Sequence, residues 1–141
     1  MIVPDVNMLV YAYNETSPMH NVAKDWWYGL LEGSEDVGIP SAVSTGFVRL
    51  MANPKVIAPP VSPVVSIDRV RNWFERTHIF AIHPGADHFD VMRLMVEATG
   101  TSRNVVTDAH IAAIAIEHNA EVHSKDSKFA QFPGLKWIDP L

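Results

Sequence analysis

Short, unbroken apolar runs alternate along the chain with longer stretches in which apolar residues return every third or fourth position. The first pattern suits strands buried on both faces, the second amphipathic helices. On this reading residues 1–5 are a strand and 6–14 a helix with Leu9, Val10 and Tyr13 on one face. The next helix starts at Ser17, an N-cap followed by Pro18 at the first helical position. It turns Met19, Val22, Ala23, Trp26, Trp27, Leu30 and Leu31 inward. VGIP at 37–40 is a strand, and 41–53 a helix with Val43, Phe47, Leu50 and Met51 toward the core. The proline-rich 54–63 is a loop, because a domain boundary there would leave an N-terminal piece too small for a robust core. A helix from Ser62–Pro63 to about Arg76, a strand at 79–83, and a helix capped by Asp87 and ended by Gly100 follow. Residues 105–107 read as a brief strand or turn before a strongly apolar helix from Asp108. EVHS at 121–124 is a strand, 125–132 a turn with a short helix, and 135–138 a last strand. Strands alternating with helices predict an α/β fold around a mostly parallel sheet, in one domain spanning 1–141.

Composition narrows the function more than the fold. With 48% hydrophobic and 19% charged residues, the chain is a folding one rather than a disordered one. A net charge of −5 argues against holding nucleic acid by bulk electrostatics. It leaves room for carboxylates that hold cations, and for a basic protein partner. The absence of cysteine excludes disulfides and thiolate metal sites and fits a reducing cytoplasm. No basic n-region or cleavage site is visible at the start, and the longest apolar run, IAAIAI at 111–116, is far short of a membrane span. There is no internal repeat.

In an open parallel sheet, functional groups gather where the carboxyl ends of strands hand over to helices. Three aspartates are expected at such places: Asp5 after the first strand, Asp108 at the head of the apolar helix, and Asp126 after EVHSK. Brought to one edge they would repel one another unless a cation sat between them, and hard oxygen donors suit magnesium or manganese rather than zinc. Taken singly, each has an ordinary explanation: Asp5 as a helix cap, Asp108 as a first-turn acid favoured by the helix dipole, Asp126 as a turn residue. The seven histidines lack a zinc spacing, and the serines lack a GxSxG setting. GTSRN at 100–104 lacks the lysine and further glycines of a phosphate loop. An aspartyl nucleophile at Asp5 would want a second acid two residues on, where Asn7 stands.

Three blocks, PDVNMLVYAYNETSPMH, GFVRLMANPKV and VVTDAHIAAIAIEHNAEVHSKDSKFAQFPGLKWIDPL, occur in an order and at a total length that resemble the PIN-domain ribonucleases, in particular VapC toxins of type II toxin–antitoxin pairs. The resemblance implies an α/β/α sandwich and a magnesium-dependent endoribonuclease, with manganese as a substitute ion. It also implies an RNA substrate, a cognate VapB-type antitoxin and a homodimer. By position it makes Asp5, Asp108 and Asp126 the metal-holding, catalytic acids. Two departures stand out: Gly46 occupies a helix position that is often glutamate in the family, and Lys128 a position that is often acidic. On this reading Glu15 is a candidate to fold back toward the site, Arg49 to shape it, and Arg103, Lys125 and Lys128 to contact phosphate, with ordinary solvated charge as the alternative for the basic three. A second reading follows from the same departures: a weakened PIN domain that binds RNA or protein without cutting.

Overall fold

The computed structural model describes residues 1–100 and 102–141. Five strands, β1 (Ile2–Pro4), β2 (Val37–Pro40), β3 (Ile79–Ile82), β4 (Glu121–His123) and β5 (Lys136–Ile138), form one sheet in the order β3-β2-β1-β4-β5. Every pairing is parallel, so the expectation of a mostly parallel sheet is met in full. Six helices flank it: α1 (Val6–Tyr13), α2 (His20–Glu32), α3 (Ser41–Met51), α4 (Pro63–Trp73), α5 (His88–Thr99) and α6 (Val106–Glu117). The chain walks outward from β1 to β3 through α1–α4. It then returns through α5 and α6 to β4 on the other side of β1. That reversal makes the seam between β1 and β4 the switch point of the sheet, the crevice where doubly wound folds place their chemistry.

Two segments start or run differently from the reading of the apolar pattern. Helix α2 begins at His20 and not at Ser17, because the Ser17 hydroxyl accepts from the Met19 amide at 3.1 Å and closes a turn ahead of the helix. Residues 105–107 contain no strand: a 3-10 turn at Arg103–Val105 runs directly into α6, whose first residue is Val106. On α2 only Ala23, Trp27 and Leu31 are buried, while Val22 is exposed, since the helix presents a narrower stripe than its apolar count suggested.

The core on the α1–α4 face is aromatic. Trp27, Phe47 and Trp73 are fully buried, with ring centroids 5.2 Å apart for Trp27–Trp73 and 4.9 Å for Phe47–Trp73. Tyr13 stands edge-on to Phe47 and accepts the Trp73 indole N–H at 2.8 Å. On the other face α6 is sealed by small and branched residues, Ala109 and Ile111 through Ala115, and has no polar stripe in its middle. Helix α5 is cinched to it by a polar chain. The buried His88 ring lies 2.8 Å from Glu117 Oε2 through Nδ1 and 2.8 Å from His110 Nδ1 through Nε2. Glu117 also accepts the Gly85 amide at 3.1 Å. The proline-rich loop is anchored by Asn14, a buried residue whose amide donates to the Val56 carbonyl at 3.2 Å.

The two core indoles differ in one respect: Trp73 Nε1 is paired, whereas Trp27 Nε1 is buried without a partner. Trp73→Phe leaves the Tyr13 hydroxyl unpaired, while Trp27→Phe removes an orphaned donor. Urea unfolding is expected to show Trp73→Phe costing about 1 kcal/mol more than Trp27→Phe; equal losses would mean that the Tyr13 bond contributes nothing.

Candidate active site

Asp5 follows β1 directly. Its extended backbone (φ −71°, ψ 147°) ends the strand, and its carbonyl accepts the first intrahelical bond from the Met8 amide at 3.1 Å. The carboxylate makes no well-formed cap hydrogen bond, although the Val6 and Asn7 amides at the head of α1 lie near enough to favour its charge. It turns across the seam instead: Ser124, wholly buried just beyond β4, donates its hydroxyl to Asp5 Oδ2 at 2.7 Å. The Asp5 amide bonds the His123 carbonyl at 2.9 Å, so main chain and side chain tie the two strand ends together.

The same Ser124 oxygen accepts the Asp126 amide at 2.9 Å, and Asp126 Oδ1 accepts the Lys128 amide at 2.9 Å. Serine, aspartate and lysine backbone are thus folded into one tight turn that starts a short 3-10 helix at Ser127–Gln131. Further support comes from His123. Its Nδ1 accepts the Trp26 indole N–H at 3.2 Å, which leaves Nε2–H to donate to Glu121 at 2.9 Å.

Asp108 arrives by a different route from the one expected. It does not follow a strand but lies in the first turn of α6. Because α6 leads into β4 and runs antiparallel to it, the head of α6 falls at the carboxyl edge of the sheet, beside Asp5 and Asp126. Burial pushes the Asp108 carboxyl from an ordinary 3.8 to about 6, reinforced by the charges of Asp5 and Asp126 and partly offset by Lys128. Asp5 is raised too, first by burial and then by Asp126, against the Ser124 bond and the Val6 and Asn7 amides. The charges of the three acids are therefore close enough to act on one another. Beside it is a cleft of about 290 Å³, lined by Ser102, Asn104, Asp108, Lys128, Gln131 and Phe132 among others.

This donor set, carboxylates with neither thiolate nor imidazole, fits a hard divalent cation. With Asp5 turned to Ser124 and Asp126 to the Lys128 amide, no three His, Cys, Asp or Glu side chains among the described residues are disposed as a ready ligand shell. Glu15 lies beyond the far end of α1, away from Asp5, and lines a different groove. Arg49 is exposed and has no ion pair among the described residues. Gly46 is buried, and a Cβ built there would lie 3.3 Å from Val6 Cγ2, beside the head of α1. Ser124 went unnoticed in the sequence. Its signal was positional, the first residue of SKD after the β4 run, and a lone serine there looks like any turn residue.

A family model for the PIN domain matches residues 2–135. The chain belongs to this family, in its VapC branch. Ribonuclease VapC33 of Mycobacterium tuberculosis is 36% identical over 141 residues, covering 100% of this chain and 99% of that protein. Ribonuclease VapC37 of the same species is 35% identical over 140 residues, 99% of this chain and 97% of the relative. Among solved structures, M. tuberculosis VapC20, described as a Sarcin-Ricin loop cleaving toxin, superposes with a TM-score of 0.69 at 16% identity. That match covers 96% of this chain and 99% of VapC20. VapBC-1 of nontypeable Haemophilus influenzae also gives 0.69, at 15% identity over 99% of this chain and 98% of that one. At these identities the structures share the fold.

Asp108 binds its proton more tightly when folded than when unfolded, so the folded state carries the extra proton between pH about 4 and about 6. Cation-free protein should lose stability as pH rises through that window, and Asp108→Asn should flatten the slope. Thermal melts in chelator at pH 7.5 are expected to show Asp108→Asn more stable than the parent by on the order of 1 kcal/mol, after allowance for solvent screening. A less stable variant would remove the charge cluster as an explanation.

Proposed function

We propose that this chain is a divalent-metal-dependent endoribonuclease, the toxin of a type II toxin–antitoxin pair, and that residues 1–141 act as one domain. What supports the reading is that Asp5 and Asp108, near the β1–β4 switch point, both feel the charge of Asp126 and are raised above the ordinary carboxylate range. Its context is a chain whose full-length relatives are ribonucleases by name. Asp5 and Asp108, raised in proton affinity by burial first and by acidic neighbours second, mark a site short of positive charge.

Asp5, Asp108 and Asp126 would hold the ion, Mg²⁺ with Mn²⁺ as substitute. Bound there, such an ion lowers the pKa of a water and stabilises charge on a phosphodiester. In the hydrolysis the water oxygen bonds to phosphorus, one P–O ester bond breaks, and the leaving oxygen takes up a proton. The protein's own part is placement. Ser124 fixes Asp5 and the start of the Asp126 turn, and the positive head of the α6 dipole favours the approach of a phosphate.

The antitoxin reading has two supports. An acidic cluster can receive a basic segment, whose arginine would compete with the ion for the carboxylates. A groove of about 610 Å³ lies between α2 and α4, with Tyr28, Lys24, Val65 and Arg69 on its walls. Of the helix faces near 22–31 and 43–51 that could receive such a segment, it uses the first, since Val43, Phe47 and Met51 are spent on the core. No helix among the described residues is long and apolar enough to cross a membrane. The competing reading, a domain that binds without cutting, is favoured by the absence of a ready three-ligand shell.

The two readings part in one assay. Purified protein with Mg²⁺ is expected to cleave RNA, chelator to stop it, and Asp5→Asn to lower the rate by at least about 10²-fold. RNA binding without Mg²⁺-dependent cleavage, unchanged in Asp5→Asn, would favour the non-cutting alternative.

A further inference from the structure

Two basic residues near this site have charge not already spent among the described residues, Lys128 and Arg103 on the turn before α6, and of the two Lys128 is the one that lines the cleft beside Asp108. Lys125, by contrast, is paired with Asp139 at 2.8 Å, and Lys136 on β5 with Glu121. Lys128 forms no ion pair among the described residues and is exposed. Its place is nevertheless fixed, because its backbone amide is held by Asp126 Oδ1 at 2.9 Å within the Ser124 turn. It shares the wall of one cleft with Asp108, and the other polar groups there, Ser102, Asn104 and Gln131, are uncharged.

The acids beside it are few. Asp5 has one oxygen taken by Ser124 and Asp126 one by the Lys128 amide, and position 46 offers no side chain. Such a set has donors for one cation and little left for a second. A polyanion entering the cleft therefore meets the Asp108 carboxylate on one wall and the Lys128 side chain on another.

Resting on the ribonuclease reading above, we propose that Lys128 is the phosphate-binding cation of this site, pairing through its ammonium with a non-bridging oxygen of the RNA phosphate that lies against the carboxylates. A lysine suits the task as a compact charge with three donors on a flexible stem.

The test uses the full chain and a single-stranded RNA oligonucleotide. In an Asp5→Asn background, which blocks cleavage, affinity is measured in chelator across a salt series. Lys128→Ala is expected to weaken binding severalfold and to reduce the slope of log K against log salt by about 0.7, the value of one lost phosphate contact on a single strand. Lys128→Arg should restore the slope, and Lys55→Ala, on the distant proline-rich loop, should leave it as in the parent. In otherwise native protein, Lys128→Ala should lower kcat/KM while the number of Mn²⁺ bound per chain stays the same. An unchanged affinity and slope in Lys128→Ala would overturn the proposal even if Asp5→Asn abolishes cleavage. If the native protein cleaves no RNA, the ribonuclease reading fails by itself. The salt slope then decides Lys128 alone: a reduced slope keeps it as a phosphate contact, and an unchanged one removes it.

Discussion

The hydrogen bond from Ser124 to Asp5, 2.7 Å long and buried, closes the seam between β1 and β4 at its carboxyl end. A short parallel ladder joins these strands, with Ile2, Val3 and Pro4 opposite Glu121, Val122 and His123. At this seam the sheet reverses its winding, and there the main chain must deliver a carboxylate from each side. Burying Asp5 is unfavourable, and Ser124 is the nearest group able to offset it without a positive charge. The serine also sets the Asp126 turn, so one hydroxyl decides how far apart the first and last acids stand.

The two faces of the sheet serve this seam differently. The α1–α4 face supplies bulk, an interlocked set of Trp27, Phe47, Trp73 and Tyr13 that resists deformation under α1. The α5–α6 face supplies position. Helix α6 is buried along its middle by alanines and isoleucines, and the Glu117–His88–His110 chain holds it to α5. A helix so confined has little freedom to slide, which keeps Asp108 at the edge although no strand precedes it. Within the chain His110 is held below its ordinary proton affinity by burial and by His88, in keeping with a neutral ring that shares a hydrogen bond.

Much of this was legible in the apolar pattern, since strands buried on both faces and helices with one buried stripe leave different periods. VGIP came out at its observed bounds because proline and a following helix mark its end. The start of α2 was misjudged because Ser17 followed by Pro18 satisfies the local rules for a cap, while the hydroxyl here closes a turn. Asp108 was assigned to the right neighbourhood by an argument that fails in detail: its proximity comes from the antiparallel run of α6 against β4. Ser124, His88 and Asn14 were invisible for a common reason. Each is a small or polar residue whose role lies in a partner far away in sequence, and no local period records that. The chemistry of the acidic cluster was readable only once the topology brought chain-distant residues together.

Gly46 sits against Val6, with 3.3 Å between a Cβ built on the glycine and the valine Cγ2. Val6 is the residue directly after Asp5 and opens α1, so the bulk of the side chain at 46 is transmitted to the first acid through a single methyl group. Positions 6 and 46 consequently form a coupled pair: an acidic side chain at 46 has room only if the residue at 6 gives way. The evolutionary accessibility of a fourth carboxylate in this lineage is therefore set as much by a valine with no chemistry of its own as by the vacant helix position.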